Sequence, residues 1–495
     1  MFLSFGTKAQ TAFFRQDPLF PCTNENIMLT RATDVLHTAE EDIVSFQKKR
    51  PWLAAGEVFL SNIVVWGFNY FIMDADFAYI DIHSFKRNLS YWPVWDTDKF
   101  STNLLAHPYH GSLYFNAARS NGLNFWQSAP YAFGGSLMWE YFMENELPSM
   151  NDLYATTLGG ICLGEITFRL SDLLIDNTST GWERFFREFG VACISPIRGI
   201  NRLLNKQSWK REATKGRAIS HAPILFSPTL GARFLSEYGR SKDGEFSATL
   251  GLNLIYGERF SQSYYDYYKP FEWFTLKCEF EFFSHQPIVT QVNATGVLWA
   301  KNINHNDKYT LTFGAFQHFD FYNSQIENGN GDLVSPYRIS EAAAYGLGML
   351  FSRDYDVLKE GLQLRATAYV NGIILGGTIT DHFRDNERDY NMGSGYSVKT
   401  YAGITLNKRW SIDLSGEHYH IYTWKSTSQK GFNSTQGDEG HSHLTVLSPY
   451  ITYHSGKKWK ISVVNRHFLR VTRYKHYPDV DYSTTDFLIT FGCVL

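Results

Sequence analysis

The residues of this chain best equipped for chemistry crowd between Trp95 and Arg169. In the run WDTDKFSTNLLAHPYHGSLYFNAARSNG, His107 and His110 stand three apart, Asp96, Asp98 and Asn103 precede them, and Ser112 follows. On a helix the two imidazoles share a face, and Glu140 and Glu144, four apart, share another. Imidazoles beside carboxylates are donors that a metal accepts. HxxH, however, lacks the spacing and the embedded glutamate of a zinc-protease helix, and Pro108 breaks regular helix there. No resident metal and no cofactor are expected. Ser112 or Ser136, with His107 or His110 and Asp98 or Glu140, supplies the nucleophile, base and orienting acid of a hydrolase or acyltransferase. Such residues are too common for spacing alone to assemble them. A structural reading accounts for the same groups: Arg119, Glu140, Glu144, Asp152, Glu165 and Arg169 pair inside a helical bundle and hold its register.

The elements that position these groups read as helices rich in Gly, Ala and Ser over 101–119, 130–144 and 149–174, a composition that lets helices approach closely. Ser149 is placed to cap the third, with Asp152 in its first turn. Trp52 to Met73 is long enough to span a bilayer, but Glu57, Asn62 and Asn69 argue for a helix packed against protein. Residues 182–205 are amphipathic and basic, suited to a membrane surface or a barrel mouth.

From Ala222 onward the period changes to two. In DYSTTDFLITFGCVL, Phe487, Ile489, Phe491, Cys493 and Leu495 oppose Thr484, Asp486, Leu488, Thr490 and Gly492. The stretches EFSATLGLNLIY, FTLKCEFEF, LQLRATAYVNG and YSVKTYAGITL alternate in the same way. About twelve strands are expected, starting near 222, 244, 271, 288, 308, 339, 362, 394, 410, 444, 459 and 481. Tight turns before Trp410 and Trp459 alternate with long polar loops over 378–393 and 426–443, and aromatic residues make up 17% of the chain. That is the pattern of an outer-membrane barrel: apolar side chains to lipid, polar ones to the lumen, aromatics in girdles. A net charge of −3 provides no field to attract nucleic acid. The five cysteines never form CxxC and read as buried small hydrophobes. The N-terminus shows no clean export signal, and Cys22, preceded by proline, is a poor lipidation site.

The first-half motifs carry a resemblance. Trp95-Asp96-x-Asp98-x-Phe100, His107-Pro108-Tyr109-x-Gly111-Ser112, Ala118-Arg119-Ser120-Asn121-Gly122, Trp139-Glu140-Tyr141, Pro148-Ser149, Gly164-Glu165, Arg169 and Pro196-x-Arg198-Gly199 resemble an uncharacterised bacterial family, domain of unknown function 3943 (DUF3943). The resemblance implies a Gram-negative envelope protein with a C-terminal barrel, and no established reaction.

The expected architecture is therefore α+β: an extension over 1–50, a helical domain over 51–205 that caps or plugs the barrel from the periplasmic side, a linker over 206–221 and an antiparallel barrel over 222–495. The expected partners are outer-membrane lipid and other envelope proteins. The expected role is transport, lipid handling or envelope assembly. The alternatives are a lipid-modifying enzyme, with His107, His110, Ser112, Ser136 and Glu140 as its groups, and a scaffold subunit of an envelope complex. Asp96, Asp98, Asn103, Arg119, Glu144, Asp152, Glu165, Arg169 and Arg198 are the expected binding or buried polar residues.

Overall fold

A computed structural model describes residues 48–495 except 220–221, 238–243, 261–267, 307–308, 328–330, 356–360, 384–387, 426, 430–431, 435–436 and 457. Most of the expected N-terminal extension, Cys22 included, lies outside the described residues, as does the end of the linker.

Twelve antiparallel strands close into a barrel. They are β1 (Ile224–Glu237), β2 (Glu245–Tyr256), β3 (Phe274–Phe282), β4 (Val289–Asn306), β5 (Tyr309–Asn323), β6 (Arg338–Tyr355), β7 (Leu362–Ile379), β8 (Tyr390–Leu406), β9 (Trp410–Thr423), β10 (Gly440–Ser455), β11 (Trp459–Tyr474) and β12 (Val480–Cys493). Every start lies within four residues of its expected place. Closure comes from β12 pairing with β1, Phe487 opposite Phe234 and Gly492 opposite Thr229, so no edge is left bare. The end of the barrel where β1 starts is called the near end here; the other is the far end. The tight turn at 407–409 lies at the near end, where Trp410 pairs with Tyr453 and Trp459 stacks on Phe491 as a girdle.

The wall has the two faces that the alternation predicts. Ile412, Leu414, Leu447, Ile451, Ile461, Phe487, Ile489 and Leu230 are exposed on its outside. Inside, charged groups are buried and paired. Arg233 meets Asp486 at 2.9 Å and Glu281 at 3.4 Å, Arg466 meets Glu279 at 2.7 Å, and Lys399 meets Asp320 at 2.6 Å and also Glu341. Loop residues close in from both ends. At the near end Arg259 donates to Tyr369 at 2.9 Å; at the far end Tyr337 stacks on Phe468 and accepts from Arg233. Side chains from opposite parts of the wall meet inside the lumen, as Arg466 does with Gln291 at 2.7 Å.

The helical half comprises α1 (Pro51–Phe68, continued by a π-helical turn to Met73), α2 (Ile82–Ser90), α3 (His107–Ser120, entered through a π-helical turn, Thr102–Ala106), α4 (Phe125–Phe142), α5 (Met150–Tyr154, leading through another, Ala155–Gly159), α6 (Gly160–Leu174), α7 (Gly181–Ile194) and α8 (Pro196–Leu204). Pro108 does not prevent a helix; it sits at its start. Its missing N–H leaves a carbonyl one turn back without a partner, and the wider turn over 102–106 absorbs the mismatch. α3 and α6 run parallel in the bundle, α1 and α4 run antiparallel to α3, and α7 and α8 cross beneath it at the near end.

This bundle is not a plug. Its core is continuous with Leu254, Tyr256, Phe274, Leu276, Cys278, Phe319, Phe321, Leu375, Tyr390 and Met392. Where β2, β3 and β8 run beyond the helices, residues of the same face are exposed: Phe246, Phe282 and Tyr396. The helices therefore lie against the outside of the wall, crossing it obliquely from the near ends of β2 and β3 to the far ends of β5–β8. The expectation of a capping or plugging domain is corrected because one apolar strand face serves lipid and helix equally. The far side of the bundle is itself apolar and exposed, through Phe59, Leu60, Val64 and Phe68 on α1 and Phe133 and Leu137 on α4. Pro51–Met73 is apolar and long enough to cross a membrane, with only 22% of that window buried. The polar groups that argued against this, Glu57 and Asn62, turn to protein partners: Asn121, Asn201 and Gly135. A further correction concerns the cysteines: Cys162 is buried, but Cys193 is exposed, and Cys278 and Cys493 are half-buried.

Candidate functional site

Two close approaches assemble the site. α3 and α6 cross with their backbones in contact: a Cβ on Gly111 would fall 1.7 Å from the Thr156 carbonyl oxygen, and one on Gly160 2.6 Å from the Gly111 Cα. Only glycine fits at that crossing. Beside it, Val94 forms a parallel bridge with Ser149, its N–H donating to Pro148 O at 2.8 Å and its carbonyl accepting from Met150 at 2.7 Å. This staple brings the loop carrying Asp96 against the start of α5, where Ser149 is the N-cap, accepting from Asp152 N.

His107, Glu140 and Asp152 converge there. One donor atom from each lies within 4.8 Å of the others, and His107 Nε2 is 3.6 Å from Asp152 Oδ1. The other imidazole nitrogen faces Thr156 Oγ1 at 3.3 Å. Glu140 accepts from Ser149 N at 2.7 Å, and Asn151 donates to Asp152 at 2.9 Å and to Asp96 at 2.9 Å. Asn103 donates to Asp96 at 2.6 Å and to Tyr390 Oη on β8 at 2.7 Å, which ties the cluster to the barrel wall. Among the described residues no lysine or arginine pairs with Glu140 or Asp152; their carboxyls meet N–H groups, one imidazole and, for Asp152, the carboxyl of Asp96. Such a set can pass a proton between Asp152 and His107, or close three donors on a cation.

Not every candidate joins this group. His110 meets Tyr114 Oη at 2.8 Å and stacks edge-on against Trp139, whose indole donates to Glu144. Ser112 donates to the Tyr109 carbonyl at 2.6 Å, and Ser136 to the Asp152 carbonyl at 3.4 Å. Each hydroxyl is turned to backbone and bonds neither histidine. The expected single network of acids and arginines divides in two. Its arginines lie toward the near end, where Arg119 forks onto Glu165 at 2.7 and 3.1 Å and Arg169 meets the same carboxylate at 2.8 Å. Arg198 pairs with Asp172 there and lies over Phe168. Asp98 stays with the acidic half, close enough for its charge to act on Glu140 and Glu144.

Sequence reasoning also passed over a row of histidines on the outer wall. His418 and His420 on β9 and His441 and His443 on β10 all face outward, with His420 opposite His443 in register. Two HxH dipeptide repeats on consecutive strands were the available signal.

Solved structures similar to the chain include the NanC porin, at 11% identity over 53% of this chain and 98% of that one with a TM-score of 0.26. Others are the Pseudomonas putida toluene transporter TodX, at 9% over 55% and 89% with 0.22, and OmpT of Vibrio cholerae, at 8% over 56% and 100% with 0.24. Among curated proteins nothing matches the chain. The family model described as Domain of unknown function (DUF3943) matches residues 92–197. The stretch that the DUF3943 model matches, residues 92–197, folds as helices against the outside of a closed twelve-strand barrel.

Proposed function

We propose that this is an outer-membrane protein that handles lipid through its helical bundle, with the barrel as its support rather than as a conduit. The observation that carries this reading is the placement of the polar groups. The lumen is occupied by paired side chains, whereas the cluster of His107, Glu140, Asp152 and Asp96 sits outside the lumen, in a bundle whose free surface is apolar. Lipid is the phase next to that surface. A cavity of about 190 Å³ at the near end is lined by Arg50, Arg119, Arg198 and Arg202, of which the last three are already paired with Glu165, Asp172 and Glu188. Of the enzymatic alternatives, hydroxyl attack by Ser112 or Ser136 has no support in the hydrogen bonding. The Asp152–His107 pair is the better acid–base group. Transport through the lumen is the reading least supported.

The test has two arms. Purified protein reconstituted in liposomes is expected to give no conductance above the lipid background. In cells, H107A and E140Q are expected to alter the phospholipid or lipid A profile of the outer membrane while the protein remains folded, judged by heat-modifiable migration. Stable single-channel conductance, or an unchanged lipid profile in both variants, overturns the reading.

A further inference from the structure

We propose that His420, His441 and His443 bind a borderline transition-metal ion, of the zinc, nickel or copper class, on the outer face of the barrel. One ring nitrogen from each lies within 4.8 Å of the other two. The rings of His420 and His443 are 3.8 Å apart, and those of His441 and His443 5.4 Å. The geometry follows from the sheet. His441 and His443, two apart, project from one face of β10, and His420 stands opposite His443 across the ladder. Three imidazoles on two paired strands are thus held by backbone hydrogen bonds before any ion arrives.

An independent observation points to a ligand. His420 is 7% exposed, and its Nε2 has no hydrogen-bond partner. A buried imidazole nitrogen without a partner is costly, and a metal lone-pair contact would satisfy it. Its other nitrogen, Nδ1, faces Tyr396 Oη at 3.2 Å. With Nδ1 carrying the proton and Tyr396 accepting it, Nε2 presents its lone pair to the other two rings, the outer-shell arrangement usual for a metal-bound histidine. All-nitrogen donors favour copper, nickel and zinc over magnesium or calcium. Zinc–nitrogen bonds of about 2.0–2.1 Å require only side-chain rotation from the present spacing. Three protein donors leave a fourth position for water or an oxygen ligand. His441 and His443 are only half-buried, so an ion can reach them from outside. The neighbouring His418 is turned to Thr445 Oγ1 at 2.9 Å and is not needed.

The experiment uses the full chain without a histidine tag, purified in detergent and stripped with a chelator, then titrated calorimetrically with zinc chloride and nickel chloride. Wild type is expected to take up one equivalent saturably. H420A and the double variant H441A/H443A are each expected to weaken that uptake by tenfold or more, with heat-modifiable migration retained. H418A is expected to bind as wild type does, because that ring is turned to Thr445. Should H420A misfold, H420Q, which keeps the volume, replaces it. Absence of saturable uptake by wild type, uptake unchanged in H441A/H443A, or loss confined to H418A overturns the proposal.

Discussion

The lumen of the barrel and the far half of the bundle both bury carboxylates in number, and they treat them differently. In the lumen Asp486, Glu281, Glu279, Asp320 and Glu341 each touch Arg233, Arg466 or Lys399. In the bundle Glu140 and Asp152 are as deeply buried, yet they face amide groups and His107. The near half of the same bundle follows the lumen's rule, with two arginines on Glu165. A buried acid with its cation is complete and serves shape. One that meets N–H groups, an imidazole or another carboxyl but no cation retains capacity for a proton, a cation or a ligand, and enzymes often arrange carboxylates in this way. The difference teaches that burial does not separate structural from functional polar groups, whereas pairing does.

The contrast can be broken from either side. The largest effect is expected at Arg233→Ala, which strands Asp486 and Glu281 in the lumen and should lower stability by about 3–5 kcal/mol, read as a shift in the urea midpoint of the detergent-solubilised barrel. Gly111→Ala comes next. The added methyl meets the Thr156 carbonyl, and overpacking of about 1–3 kcal/mol should separate α3 from α6 and with them His107 from Asp152; hydrogen exchange of α3 should accelerate while the strands stay protected. Glu140→Gln keeps the shape and removes a charge that has no cation. Its midpoint should move by less than about 1 kcal/mol, in either direction, while the lipid phenotype is lost. A large destabilisation there would return Glu140 to the structural class. The smallest effect is expected at Ser112→Ala, about 1 kcal/mol or less for one hydrogen bond to backbone, with lipid profiles unchanged. A lipid defect in that variant would restore the serine reading.

Most of the wall was legible in the sequence, since alternation at Phe487–Leu495 or Leu362–Val370 has one solution once both faces are assigned a solvent. The cap at Ser149 was legible for the same local reason. The location of the bundle was not. Tyr390 and Met392 fall in the stretch expected as a polar loop over 378–393 but lie in the strand, and nothing in a period of two tells whether Phe319 and Phe321 meet a lipid tail or Phe100 and Leu104. The division of the polar cluster was hidden too: Arg119 and Glu140 are close in the chain, but antiparallel helices carry them to opposite ends of the bundle. The metal-type histidines required the register of β9 on β10, which no single strand reveals.

The oblique seat of the helices has a last consequence. They lean on β2 to β8 and, through Ile224, on the start of β1, beside the seam that β1 makes with β12. First and last strands cannot part there without loosening the seat of the helices. The half of the molecule bearing the chemistry is thereby coupled to the step that shuts the ring.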